Sequence, residues 1–321
     1  GEGNPLPFSR GSSMYQVDRW SGLIKNGFDV VEPAVKSGDF SLSLLSFATG
    51  FIKEPLKLVP AAFWGLYCWV LFLSESAPGL PATALDPKTW QMVQSLSFNF
   101  WLVLPLGFPG LAAPGYHPIL EGIFNFTLAW AGLFAIFAMD GRSTRFGPPM
   151  GPVLLGMQFL TNAFYLPYLV LRKPETETSL LLSAPKSIAE APERPEKPVF
   201  AKSSVSNLSK LGETKLFPIV LGGVLSVCIY WAIAGRPEYG DLPMRLDSFI
   251  ELAKSDRLTF AFVVDMVLFG VFQGWLVDDD MKRRGMTKSS QAALGTIAKI
   301  LPAYGLVIYG LFRPKLDVRD D

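Results

Sequence analysis

Residues 257–285 read RLTFAFVVDMVLFGVFQGWLVDDDMKRRG, a mostly apolar run closed by an acidic and then a basic cluster. About 20 apolar residues in helical form cover the roughly 30 Å of bilayer hydrocarbon, and so many closing charges do not stay in lipid. The run is therefore expected to cross a membrane and to stop at Asp278, Asp279, Asp280, Lys282, Arg283 and Arg284, read as a solvated cluster. One acid, Asp265, lies inside the run. An ionisable group at that depth costs several kcal/mol unless it is paired or faces a cavity, so Asp265 needs a partner from another helix.

The rest of the chain repeats this pattern. Half of the 321 residues are apolar and only 18% are charged, where soluble domains average about a quarter charged. The apolar residues come in blocks, which predicts an all-α, polytopic helical membrane protein of about seven spans. These are residues 60–72 with their flanks, 92–109, 118–139, 152–171, 217–234, 257–277 and 291–312. They divide the chain into an N-terminal extramembrane segment (1–58), a first membrane half of four spans (59–173), a Ser/Pro/Glu/Lys linker (174–214) and a second half of three spans (215–321). Within the first segment, the opening GEGNPLPFSRGSS reads as a mature end left after removal of a targeting segment. Residues 39–57 read as an amphipathic surface helix, and residues 244–256 as another.

Lysine and arginine placement sets the orientation. With seven spans, the N-terminal segment, the linker with its flanks and the loop after the sixth span share one side and carry eighteen basic residues against ten on the other. That side is expected to be cytoplasmic or stromal, with the C-terminus opposite. The two halves also share a pattern: FAMDGRSTR followed by a helix closing YLVLRKP, and WLVDDDMKRRG followed by a helix closing YGLFRPK. A three-helix unit repeated in this way would be an inverted repeat.

Asp265 and Lys299 are the two charges within spans, and antiparallel neighbours would bring them together near the midplane, as an ion pair or a relay. Asn99, Asn125, Gln158, Asn162 and Gln273 are intramembrane amides suited to hydrogen bonds between helices or to ligating a chlorophyll magnesium. His117, the one histidine, stands at the mouth of the third span with Glu121 one turn on, as a hydrogen-bonded anchor or as a metal or pigment ligand. One histidine cannot build a histidine-rich iron site, an HExxH zinc site or a Ser-His-Asp triad. The net charge of +1 and the absence of a basic field argue against nucleic acid. Cys68 and Cys228 lie in separate apolar blocks and read as small packing residues.

The segment DRLTFAFVVDMVLFGVFQGWLVDDDMKRRGM with ILPAYGLVIYGLFRP, and FLTNAFYLPYLVLR at 159–172, resembles a family of uncharacterised integral membrane domains of cyanobacteria and plastids. The resemblance centres on residues 250–315 and 159–172. It carries no established activity and implies a photosynthetic, thylakoid membrane. The expectation that follows is a non-catalytic structural or assembly subunit, packed in a photosystem or antenna complex and its lipids, holding chlorophyll, carotenoid or lipid and no soluble cofactor. The alternatives are a small transporter using Asp265 and Lys299, and a membrane enzyme of isoprenoid or carotenoid metabolism with Asp265 as its acid.

Overall fold

The computed structural model describes residues 10–18, 21–32, 51–52, 54–84, 86–98, 115–139, 150–172, 200–201, 207–286, 289–316 and 318–319. It divides into two units, Gly1–Pro55 and Leu56–Asp321. The first unit departs from the all-α expectation. Strands β1 (Arg10–Val17) and β2 (Ile24–Glu32) pair antiparallel across a tight turn, where Gly22 takes a positive φ and donates to Asp18 O. Two strands of alternating residues joined by a short loop are a hairpin signal that the mixed polarity of this segment obscures. The surface helix expected at 39–57 falls largely outside the described residues.

The second unit is helical. Its elements are α1 (Leu58–Cys68, continued by a π turn at Trp69–Leu73), α2 (Pro87–Phe98), α3 (Pro118–Ala138), α4 (Met150–Leu171), α5 (Asn207–Gly212), α6 (Leu216–Ala234), α7 (Leu242–Ser255), α8 (Arg257–Arg283), α9 (Ser289–Ile300) and α10 (Tyr304–Phe312). A parallel pair of two-residue strands, β3 (Phe200–Ala201) and β4 (Val318–Arg319), links the linker to the C-terminus. Among the described residues, five helical segments are long and apolar enough to cross a membrane: Pro55–Leu73, Pro118–Ala138, Pro152–Leu171, Leu216–Ala234 and Arg257–Arg283. The protein is thus a helical membrane protein. The described part of the second expected span is helical, within Pro87–Phe98, and the remainder lies outside the described residues. The seventh is two short helices.

Helix α3 is the centre of the bundle, since 78% of its apolar window is buried against 22% in α1 and α6, whose outer faces are left for lipid. It runs antiparallel to α6, close enough that a Cβ on Gly122 would stand 2.9 Å from Cys228 O. Along α8 it runs parallel, held by aromatic edges: Phe124 on Phe262, Trp130 on Phe269, and Phe134 on Phe269, with centroids 5.0–5.7 Å apart. Such ring pairs add about 0.5–1.5 kcal/mol each beyond the area they bury.

Two helices are bent back on themselves. In α4, Leu160 and Thr161 leave helical geometry, Thr161 at φ 34°, and a Cβ on Gly156 would lie 2.3 Å from the ring of Phe164. Residues eight apart in a straight helix stand about 12 Å apart along its axis. The same happens between α9 and α10, where Ala303 takes φ 55° and a Cβ on Gly305 would lie 2.6 Å from Ile297 O. One sequence offset relates both contacts, and the same offset relates Tyr168 to Tyr309 and Arg172 to Arg313. The two closing arginines also share an end: Arg172 donates to Phe137 O and Arg313 to Ile136 O, neighbouring carbonyls of α3. An inverted repeat would separate them by the thickness of the membrane. Both arginines thus lie at one end of α3, the end expected to be cytoplasmic or stromal.

Candidate functional site

The bend in α4 has a steep local cost, and a proline follows it in the same helix. Pro167 lacks the N–H that would bond Ala163 O four residues back, and Trp64 Nε1 of α1 fills that carbonyl at 3.1 Å. Thr161, a β-branched residue at positive φ, is strained by about 1–3 kcal/mol, and strain of this kind collects at working sites. Its hydroxyl meets Tyr67 OH at 3.4 Å. The next residue, Asn162, is fully buried and donates its amide to both Asp265 Oδ1 at 2.7 Å and Asp265 O at 3.1 Å. Thr161 and Tyr67 line the same cavity wall as Asp265. Asp265 thus has its hydrogen-bond partner from another helix, the amide of Asn162.

This cluster stands at one end of a cavity of about 220 Å³ enclosed by α1, α2, α3, α4 and α8. Its walls are mainly aromatic and aliphatic, with Tyr67, Phe72, Trp90, Phe124, Phe159 and Phe262 supplying rings. Asp265 is the one carboxyl in the lining, and Arg257 the one base. That arginine is committed elsewhere. Its guanidinium donates to the carbonyls of Val70, Ser74, Ala77, Pro78 and Gly79 at 2.5–2.9 Å, and so closes the end of the π turn and the loop after it.

Lys299 does not meet Asp265; it forms an ion pair with Asp278. The break at Ala303 ends α9 one residue after Lys299, and the long side chain reaches toward the membrane surface. Gln273 holds that break: its Nε2 lies 3.1 Å from the carbonyls of Ala298, Lys299 and Leu301, and its Oε1 accepts from Ala303 N at 3.3 Å.

Of the acidic run, Asp278 is exposed as a solvated stop requires, while Asp280 is buried in the structure. Each aspartate ties down a different element: Asp278 holds Lys299 of α9, Asp279 holds Arg172 after α4 at 2.8 Å, and Asp280 holds Arg284 at 2.6 Å and Arg313 at 3.2 Å. Glu213 completes a square with the last two arginines, at 2.5 Å from Arg284 and 3.3 Å from Arg313. Tyr309 OH donates to Asp280 at 2.9 Å. Arg283 and Arg284 are buried, while Lys282 is exposed.

At the other end, His117 and Glu121 part company. His117 caps α3, its Nδ1 accepting from Ile119 N at 3.2 Å, which leaves the proton on Nε2 for Ser248 Oγ at 2.9 Å. Burial holds its pKa below the usual histidine value, and the charge of Arg245 adds to this against an opposing backbone hydrogen bond. Glu121 binds Arg236 at 3.0 Å and Trp231 Nε1 at 2.6 Å. The hydrogen bond to Glu121 raises the Arg236 pKa, against the effect of burial. Asn125 donates to Glu121 O at 2.9 Å. Gln158 lines the cavity, and Asn99 lies outside the described residues. The cysteines are free. Among the described residues no group of three or more His, Cys, Asp or Glu could hold a metal ion.

Sequence reasoning passed over Tyr67, Thr161, Arg257 and Glu213. For Thr161 there was a signal: a Thr-Asn pair six residues before a proline inside an apolar run. For Glu213, in a polar linker, there was none. No family model, no curated protein and no solved structure matches this chain.

Proposed function

We propose that the protein is a small membrane carrier whose substrate site is the cavity ending at Asp265. The observation that carries this reading is the bend in α4, which sets Asn162 and Thr161 on Asp265 at the wall of an otherwise apolar cavity. Carriers place their sites near the midplane at discontinuous helices, often at corresponding positions of two repeated halves. An acid inside a span is itself a mark of a pathway. In this reading the halves are a direct duplication, α1 and α3 with bent α4 corresponding to α6 and α8 with bent α9–α10. In the helical unit Lys57, Arg172, Arg284 and Arg313 share one face. The basic residues there make that face stromal, and the resemblance to plastid domains makes the membrane a thylakoid one.

A structural subunit holding chlorophyll or carotenoid is the other reading. Less supports it. His117 has both ring nitrogens engaged, and Gln273 both amide atoms. Asn125 and Asn162 each keep an unpartnered Oδ1, but both side chains are fully enclosed. Only Gln158 of the described amides lines the cavity.

The test is access. In a Cys68→Ser, Cys228→Ser background, Ala261→Cys places a thiol on the cavity wall. A carrier predicts that a membrane-impermeant methanethiosulfonate modifies it from either face of sealed vesicles. Modification from one face only, or from neither, would refute alternating access and favour the scaffold.

A further inference from the structure

Asp265 presents an unbalanced account of charge. It is 2% exposed, and among the described residues it forms no ion pair; its carboxyl is hydrogen-bonded by the neutral amide of Asn162, with the Thr161 and Tyr67 hydroxyls bonded to each other in the same wall. The lining holds one base, Arg257, which sits eight residues away on the same helix, about 12 Å along the axis, and whose donors are spread over backbone carbonyls. Tyr67 is the other titratable group in the wall. An ionised carboxylate in hydrocarbon needs a cation, and no described residue supplies one. Phe72, Trp90, Phe124 and Phe262 line the same cavity. Aromatic faces attract organic cations through their quadrupole, more strongly where the site is desolvated, and rings around an ammonium group are a recurring use of this.

We infer that the cavity takes a hydrophobic organic cation, an ammonium group on an aromatic or alkyl body, with the charged nitrogen against Asp265 and the body among the rings. The inference rests on the carrier reading for its purpose but on the cavity alone for its chemistry. A neutral lipid or terpenoid would fill the same apolar volume and leave the carboxylate without its countercharge. An anion would meet Asp265 as a like charge, with Arg257 already engaged. An organic cation satisfies both the acid and the rings.

The probe is radiolabelled benzyltrimethylammonium, bound to the full chain in detergent and competed with unlabelled benzyltrimethylammonium or with its uncharged carbon isostere, neopentylbenzene. The cation is expected to displace label at least tenfold better than the isostere. Asp265→Asn should weaken cation binding at least tenfold, and Phe262→Leu, which keeps an apolar side chain and removes a ring, should weaken it several-fold. If Asp265→Asn does not fold, the Phe262→Leu variant and the isostere competition still decide. Equal competition by the isostere, unchanged affinity in Asp265→Asn, or no binding of the cation would each overturn the proposal. Selective cation binding with Ala261→Cys reached from one face only would leave the ligand class standing and remove the carrier. Two-sided access with no cation binding would do the reverse.

Discussion

Replacing Asp280 by Asn tests whether the acidic run is an internal clasp. Asn is nearly isosteric and keeps an acceptor for Tyr309, so the change removes charge and little else. In the parent, two acids and two bases face each other, Asp280 and Glu213 against Arg284 and Arg313, all but Glu213 almost fully buried. Asp280→Asn leaves two guanidiniums sharing one carboxylate. Removing one partner of a buried pair costs about 3–5 kcal/mol, because the charge left behind is the expensive species. At about 2 °C per kcal/mol for a chain of this length, the thermal midpoint in detergent should fall by about 6–10 °C, read by tryptophan fluorescence. Adding Arg313→Gln restores one acid to one base. The double variant should therefore recover at least about 2 °C over Asp280→Asn alone, a coupling of about 1 kcal/mol or more. A midpoint within about 2 °C of the parent for Asp280→Asn, or a double variant that loses the sum of the two single losses, would show that the cluster is solvated and that this reasoning fails.

Gln273→Leu keeps volume and strips the break between α9 and α10 of its donors, leaving buried carbonyls and the Ala303 N–H without partners. At about 1–3 kcal/mol per orphaned group the thermal midpoint should drop by more than about 4 °C, and an unchanged midpoint would mean that water or lipid satisfies the break. His117 carries a pH dependence. Its folded pKa lies below the unfolded value of about 6.5, so its contribution to stability is complete above about 6.5 and is lost as pH falls through the folded value. His117→Asn, which keeps an N-cap, should flatten the dependence of the midpoint between pH 8 and pH 5, and an equally steep profile in that variant would assign the titration to another group.

Much of this architecture could be read from hydrophobic blocks and their stops. Helices α3, α6 and α8 begin and end close to where apolar length and closing charges place them. Asp265 needed a partner from another helix and has one. The partner was misjudged for a geometric reason: the depths of Asp265 and Lys299 were counted along straight helices. Lys299 packs against Gly274, nine residues along α8 from Asp265, so its helix brings the lysine level with a different part of α8. Pro302 and Gly305 marked the break that follows the lysine. The clasp was less accessible. Its members come from residues 172, 213, 278–284, 299 and 313, and contacts so far apart in the chain leave no local pattern. The run Asp278-Asp279-Asp280 looks the same whether water or three different helices receive it.

The two bends explain why one half of the molecule holds the candidate site and the other does not. A helix broken inside the hydrocarbon exposes carbonyl and amide groups that must find partners within the protein, unless they border a cavity. At the second break Gln273 answers with protein atoms, bonding three carbonyls and one amide at once. That junction is closed. At the first break Asn162, the residue after the strained threonine, turns its amide to an acid on a neighbouring helix, and the residues just before it, Gln158 to Thr161, form a wall of open volume. Two matching bends thus carry different loads: one is sealed by an amide and holds the helix pair together, and the other keeps a strained threonine and a buried carboxyl beside a space that a ligand can enter.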